Sequence, residues 1–173
     1  MKIYAVTGHR PQSIPNYSFT RLLQLATAAL MFHEVPKIIT GMALGWDIAI
    51  AQAAANLSIP YIAAVPFAHQ DCKWQDTDRA LWEKLIFLAD KIVYVDTVDN
   101  YTTKNCEIGA YHVTKMHKRN KYMIDHCTNV IALYNGQESG GTYKCVEYAK
   151  SKNIPIANVW GSWIKYNGAN NNE

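Results

Sequence analysis

The sequence lacks most of the marks of a specialised chain. Its four cysteines, Cys72, Cys106, Cys127 and Cys145, form no CxxC pair and no other metal-ligand spacing. No metal site is therefore expected, and free thiols in a cytoplasmic protein are the simplest account. Cys127 and Cys145 read as small hydrophobes. No apolar run approaches the roughly 20 residues of a membrane span, and the N-terminus reads as a strand rather than a signal peptide. Neither GxGxxG nor GxxxxGK[ST] occurs, which excludes the standard dinucleotide fingerprint and the P-loop. No other cofactor motif is present. The net charge of +3 is too small to imply nucleic acid by itself. Internal repeats are absent, and the one low-complexity piece is the tail 167–173, expected to be disordered.

What is there is ordinary globular composition, 49% hydrophobic and 18% charged over 173 residues. That length suits one domain, expected over 1–166, burying roughly two-thirds of its unfolded surface. Short apolar runs alternate with helical patterns. Strands are expected at 3–6, 37–40, 61–65, 92–95, 129–134 and, at an edge, 154–159. Helices are expected near 18–32, 47–57, 76–89, 115–126 and 142–150, the fourth capped by Thr114. Residues 97–114 read as loop with at most one short helix. Buried strands linked by helices imply a doubly wound, Rossmann-like parallel sheet with helices on both faces, most simply ordered 3-2-1-4-5. Ligands of such sheets bind outside the carboxyl ends of the strands.

Three unusual loops leave those ends. The first contains Gly8, His9 and Arg10. Gly8 permits close backbone approach, and Arg10 offers a fork for phosphate or carboxylate. His9 is either a ligand contact or a structural turn residue. The second runs from Gly41 through Met42 and Gly45 to Asp47. Asp47 either accepts hydrogen bonds from a ribose or is a helix-start residue favoured by the dipole. The third is Gly140-Gly141-Thr142, either a tight turn or a phosphate cradle at a helix start. Phe67 and Trp74 are available to stack on a base, although core packing is the commoner use of such aromatics.

Met116, Arg119 and Met123 fall at i, i+3 and i+7 and share a helix face. A charge on such a face needs a partner or an anion. The helix before the fifth strand matches it in length, at roughly 18 Å against roughly 20 Å. Arg119 is thus expected beside the glycine turn, as a phosphate anchor. Asn120, about 100° round the helix, is a further amide for the same ligand. Lys115, His117, Lys118 and Lys121 complete a basic run, for which a solvated face is the plain reading.

Thr7 to Pro11 (TGHRP), the glycine turn ending in Asp47, Pro66-Phe67 with Gln70 and Trp74, and Arg119-Asn120 with Met123-Ile124-Asp125 together resemble the SLOG superfamily. The nearest branch is YpsA-like; LOG phosphoribohydrolases and the DNA-processing protein DprA are more distant. The resemblance implies a nucleotide-type ligand at the strand ends and a homo-oligomer, first of all a dimer. LOG enzymes carry MxxRK…M and PGGxGTxxE. This chain keeps Met116, Arg119 and Met123, but its Glu138-Ser139-Gly140-Gly141-Thr142 lacks the proline and one glycine, and Glu147 lies two positions late. The leading expectation is therefore a protein that senses, sequesters or carries a phosphorylated ribonucleotide, with ADP-ribose, an NAD-derived molecule or a cyclic nucleotide first. The alternatives are a LOG-like phosphoribohydrolase, with Glu147 or Asp47 as its acid, and a DprA-like single-stranded DNA-binding module resting on the basic run.

Overall fold

The computed structural model describes residues 1–169. Six parallel strands form one sheet: β1 (Tyr4–Gly8), β2 (Ile38–Thr40), β3 (Tyr61–Val65), β4 (Lys91–Tyr94), β5 (Asn129–Leu133) and β6 (Ile156–Asn158). The helices are α1 (Phe19–Phe32), α2 (Trp46–Asn56), α3 (Asp76–Leu88), α4 (Val113–Asp125), α5 (Gly140–Ser151) and α6 (Trp160–Ala169). Strand alternation divides the core into two layers. Tyr4, Val6, Ile131 and Leu133 face one cluster, which also holds buried residues of α1, α2 and α3 and Trp163 of α6. Ala5, Val130 and Ala132 face the other, built with α4 and α5. The Rossmann-like, doubly wound class holds.

The strand order is β4-β3-β2-β1-β5-β6, which corrects the expected 3-2-1-4-5. The fourth strand pairs with β3, Ile62 opposite Lys91 and Val65 opposite Tyr94. The place beside β1 goes to β5. A strand in mid-sheet is covered on both faces and must be apolar throughout. Val130 to Leu133 is buried at every position, whereas β4 buries Val93 alone and leaves Lys91, Ile92 and Tyr94 exposed. The direction of winding therefore reverses between β1 and β5.

Three local expectations also change. The cap of α4 is His112, whose Nδ1 accepts the Thr114 N–H at 3.1 Å, and not Thr114. Residues 95–101 form two short 3-10 turns. Helix α6 was not expected. Its Trp163 is fully buried and donates from Nε1 to the Pro15 carbonyl at 3.2 Å. The backbone of 167–169 continues this helix, and 170–173 of the expected disordered tail lie outside the described residues. Among the described residues no helix is long and apolar enough to cross a membrane.

Candidate functional site

A cleft of about 860 Å³ opens at the carboxyl ends of β1 and β5, where the winding reverses. That size suits a small-molecule ligand. The three loops singled out from the sequence meet there.

The first loop is shaped by packing. Gly8 still belongs to β1, opposite Leu133. A Cβ on Gly8 would stand 2.6 Å from the Cβ of buried Trp46, so the glycine serves the β1–α2 contact as well as the cleft. His9 lines the cleft, but its Nε2 accepts the Asn135 N–H at 3.1 Å and its ring meets Trp160 edge-on at 5.7 Å. Burial lowers its pKa, which suits the neutral acceptor form that this bond needs. Its observed contacts are those of a structural residue. Arg10 is exposed and lines the cleft.

The second loop holds a buried carboxylate, Asp47, under the electrostatic influence of the buried Arg119 of α4. Met42 adopts a left-handed φ of 57°, and Gln70 Nε2 donates to its carbonyl at 2.7 Å. The Met42 side chain is fully buried in the core, and neither Met42 nor Gly41 lines the cleft. Arg119 is 5% exposed; Nη1 donates to the Gly41 carbonyl and Nε donates to Asn120 Oδ1 at 2.9 Å. Asn120 Nδ2 in turn donates to the Gly141 carbonyl at 3.4 Å, linking α4 to the start of α5. Burial lowers the Arg119 pKa, with Asp47 opposing; the guanidinium remains charged at any working pH. Burial pushes the Asp47 carboxyl up to about 6, while Arg119, the Ala43 N–H, Arg10 and the Gly41 backbone pull it down. Both side chains line the cleft.

The third loop ends in an open helix start. Gly140 takes a φ of +87°, which favours glycine, and a Cβ at either Gly140 or Gly141 would meet nothing within 4 Å. No side chain caps α5 at Ser139. Ser139, Gly140, Gly141 and Thr142 all line the cleft. The first N–H groups of a helix have no intrahelical acceptor, so this end offers donors and a positive dipole to an anion. Glu147 is exposed, paired with Lys150 at 2.7 Å, and does not line the cleft.

Phe67 and Trp74 line the cleft but are engaged elsewhere. Phe67 is 3% exposed, and Trp74 meets Trp82 edge-on at 6.3 Å. Sequence reasoning missed three residues. Lys115, taken for part of a solvated run, is fully buried; its Nζ pairs with Asp96 at 2.9 Å and donates to the Glu107 carbonyl at 2.6 Å. Its position four residues before Arg119, on the same helix face, was the available signal. His117 lines the cleft, and its buried Nδ1 has no partner among the described residues. Tyr111 lines the cleft and is 66% exposed; nothing in its sequence context marks it. Among the described residues no three His, Cys, Asp or Glu side chains gather as a metal ligand set.

Solved structures share this architecture. The fold is similar to DprA of Streptococcus pneumoniae, with a TM-score of 0.58 and 15% identity over 89% of this chain and 49% of that one. It thus spans about half of that protein. It is also similar to a molybdenum cofactor binding protein of Rippkaea orientalis, at TM-score 0.55 and 18% identity, covering 98% of this chain and 85% of that one. In sequence, it is 37% identical over 135 residues to the SPbeta prophage-derived protein YoqJ of Bacillus subtilis (strain 168), covering 75% of this chain and 78% of the relative. The TGHRP loop, the Gly41–Asp47 turn and the Arg119-Asn120 pair all lie within residues 5–159, which match the YpsA family, described as the YspA SLOG family, and the chain belongs to that family.

Proposed function

We propose that the cleft holds a phosphorylated ribonucleotide, which the protein senses, sequesters or carries. The observation that supports this most is the uncapped start of α5, open to the cleft that Arg10 also lines. A phosphate set there accepts hydrogen bonds from the N–H groups near Gly140, Gly141 and Thr142 and takes a charge-assisted bond from Arg10. Arg119 adds a buried positive charge at the cleft wall, with Nη1 and Nε already holding Gly41 and Asn120 and Nη2 left for an anion. Asp47 suits ribose hydroxyls, since a carboxylate repels a second phosphate. A cleft of about 860 Å³ with this much positive potential has room for two phosphates, so ADP-ribose or an NAD-derived molecule is the first candidate and a cyclic nucleotide the second. Glu147, outside the cleft, supports binding without phosphoribohydrolase turnover. Four free thiols suit a reduced, cytoplasmic setting. Superfamily resemblance supports a homodimer, testable by light scattering.

The test is a thermal-shift screen of ADP-ribose, NAD, cyclic nucleotides and nucleoside monophosphates. At about 100 times its dissociation constant, a true ligand stabilises by roughly 2.7 kcal/mol. No shift at millimolar concentration, together with tight and steeply salt-dependent binding to single-stranded DNA, overturns the reading in favour of a DNA-binding module.

A further inference from the structure

Among the described residues, one of the Phe, Tyr and Trp rings that line the cleft is left mostly exposed by the core. Phe67 is nearly closed off: the Lys115 ammonium stands 5.8 Å from its ring centre, and the Tyr111 ring lies 5.9 Å away at 81°. Trp74 is turned edge-on to Trp82. Tyr111 lines the same cleft yet is 66% exposed.

An exposed tyrosine is unremarkable if it swings freely, but Tyr111 is bracketed by anchors. Before it, Asp96 Oδ2 accepts the Gly109 N–H at 2.8 Å, and the Glu107 carbonyl accepts from Lys115 Nζ at 2.6 Å. After it, His112 caps α4, and Lys115 closes the loop by pairing with Asp96 at 2.9 Å. Both members of that pair are almost wholly buried, and Asp96 Oδ1 has no partner among the described residues. Such a pair contributes little net stability, because desolvation offsets the attraction. What it does accomplish is to tie Glu107, Gly109 and Lys115 together through Asp96, and so to hold the backbone that carries Tyr111 at the cleft wall.

We propose that Tyr111 is the stacking platform for a planar heterocyclic base, held in place by the Lys115–Asp96 pair as a positioning device. This rests on the nucleotide reading above. Stacking needs a ring face that is open and immobile, and an aromatic platform accepts any base.

The experiment compares adenosine 5′-monophosphate with ribose 5-phosphate, which lacks the base, by calorimetric titration. The wild type is expected to bind the nucleotide more tightly. Tyr111→Ala should weaken the nucleotide about tenfold and leave ribose 5-phosphate unchanged. Tyr111→Phe should match the wild type for both. Because the side chain is mostly exposed and covers only part of Phe67, the melting temperature of the unliganded Ala variant should fall only slightly. Asp96→Asn should lower the ratio of the two affinities. Nucleotide affinity unchanged in Tyr111→Ala overturns the platform while the nucleotide cleft stands. An unchanged ratio in Asp96→Asn overturns the positioning role. A wild type that binds neither compound, nor ADP-ribose, NAD or a cyclic nucleotide at millimolar concentration, overturns the nucleotide reading, and this proposal with it.

Discussion

The Arg119 guanidinium donates through Nη1 to the carbonyl of Gly41, 78 residues away, and a side chain at position 41 would overlap it. The glycine that follows β2 therefore leaves room for the arginine. Gly41→Ala should destabilise the fold by about 1–3 kcal/mol, as overpacking does. Arg119→Ala should cost more, about 3 kcal/mol or above, because Asp47 then stays buried without its countercharge. Urea unfolding of the two variants checks both values.

Asp47 makes stability depend on pH in an unusual direction. Its carboxyl is pushed from 3.8 up to about 6, chiefly by burial. The native state thus holds this proton more tightly than the unfolded chain. Its contribution to stability is greatest below about pH 4, falls as pH rises through the window to about 6, and levels off above it. Relative to Asp47→Asn, the wild type should lose roughly 2–3 kcal/mol between pH 4 and pH 7. Denaturation series at each pH give the comparison; parallel curves for the two proteins contradict it.

The class of fold was legible because β1 and β5 are continuous apolar runs and the glycine turns mark their ends. The strand order was not. Ile92 to Val95 is as apolar as a central strand, and only the sheet shows that Ile92 and Tyr94 are exposed at its edge. Arg119 was found through its helix face, but the sequence cannot show that Gly41 takes one of its donors. Lys115 was lost in a basic run because its partner, Asp96, is 19 residues away and in another element. Helix α6 escaped because the burial of Trp163 depends on packing near Pro15, 148 residues away.

Breaking the Lys115–Asp96 pair from one side should be worse than removing it whole. Lys115→Met leaves a buried carboxylate unpaired and should cost about 3–5 kcal/mol. The double variant Lys115→Met with Asp96→Leu should cost less than the single, although the Gly109 N–H then loses its acceptor. Hydrogen exchange should show residues 107–112 less protected in the single variant.

In the proposed complex an anion sits on the open start of α5. Gly141→Asp places a carboxylate there, where a Cβ meets nothing within 4 Å. A negative charge in the first turn should hold or raise stability, by about 0.3–1 kcal/mol. The same charge should repel a phosphate, whereas Gly141→Asn, uncharged and similar in shape, should do so far less. The decisive measurement is calorimetric titration of adenosine 5′-monophosphate into the wild type and both variants. Affinity should fall tenfold or more in Gly141→Asp alone, with its melting temperature unchanged or higher; equal affinity in all three proteins would rule out a phosphate on this helix start.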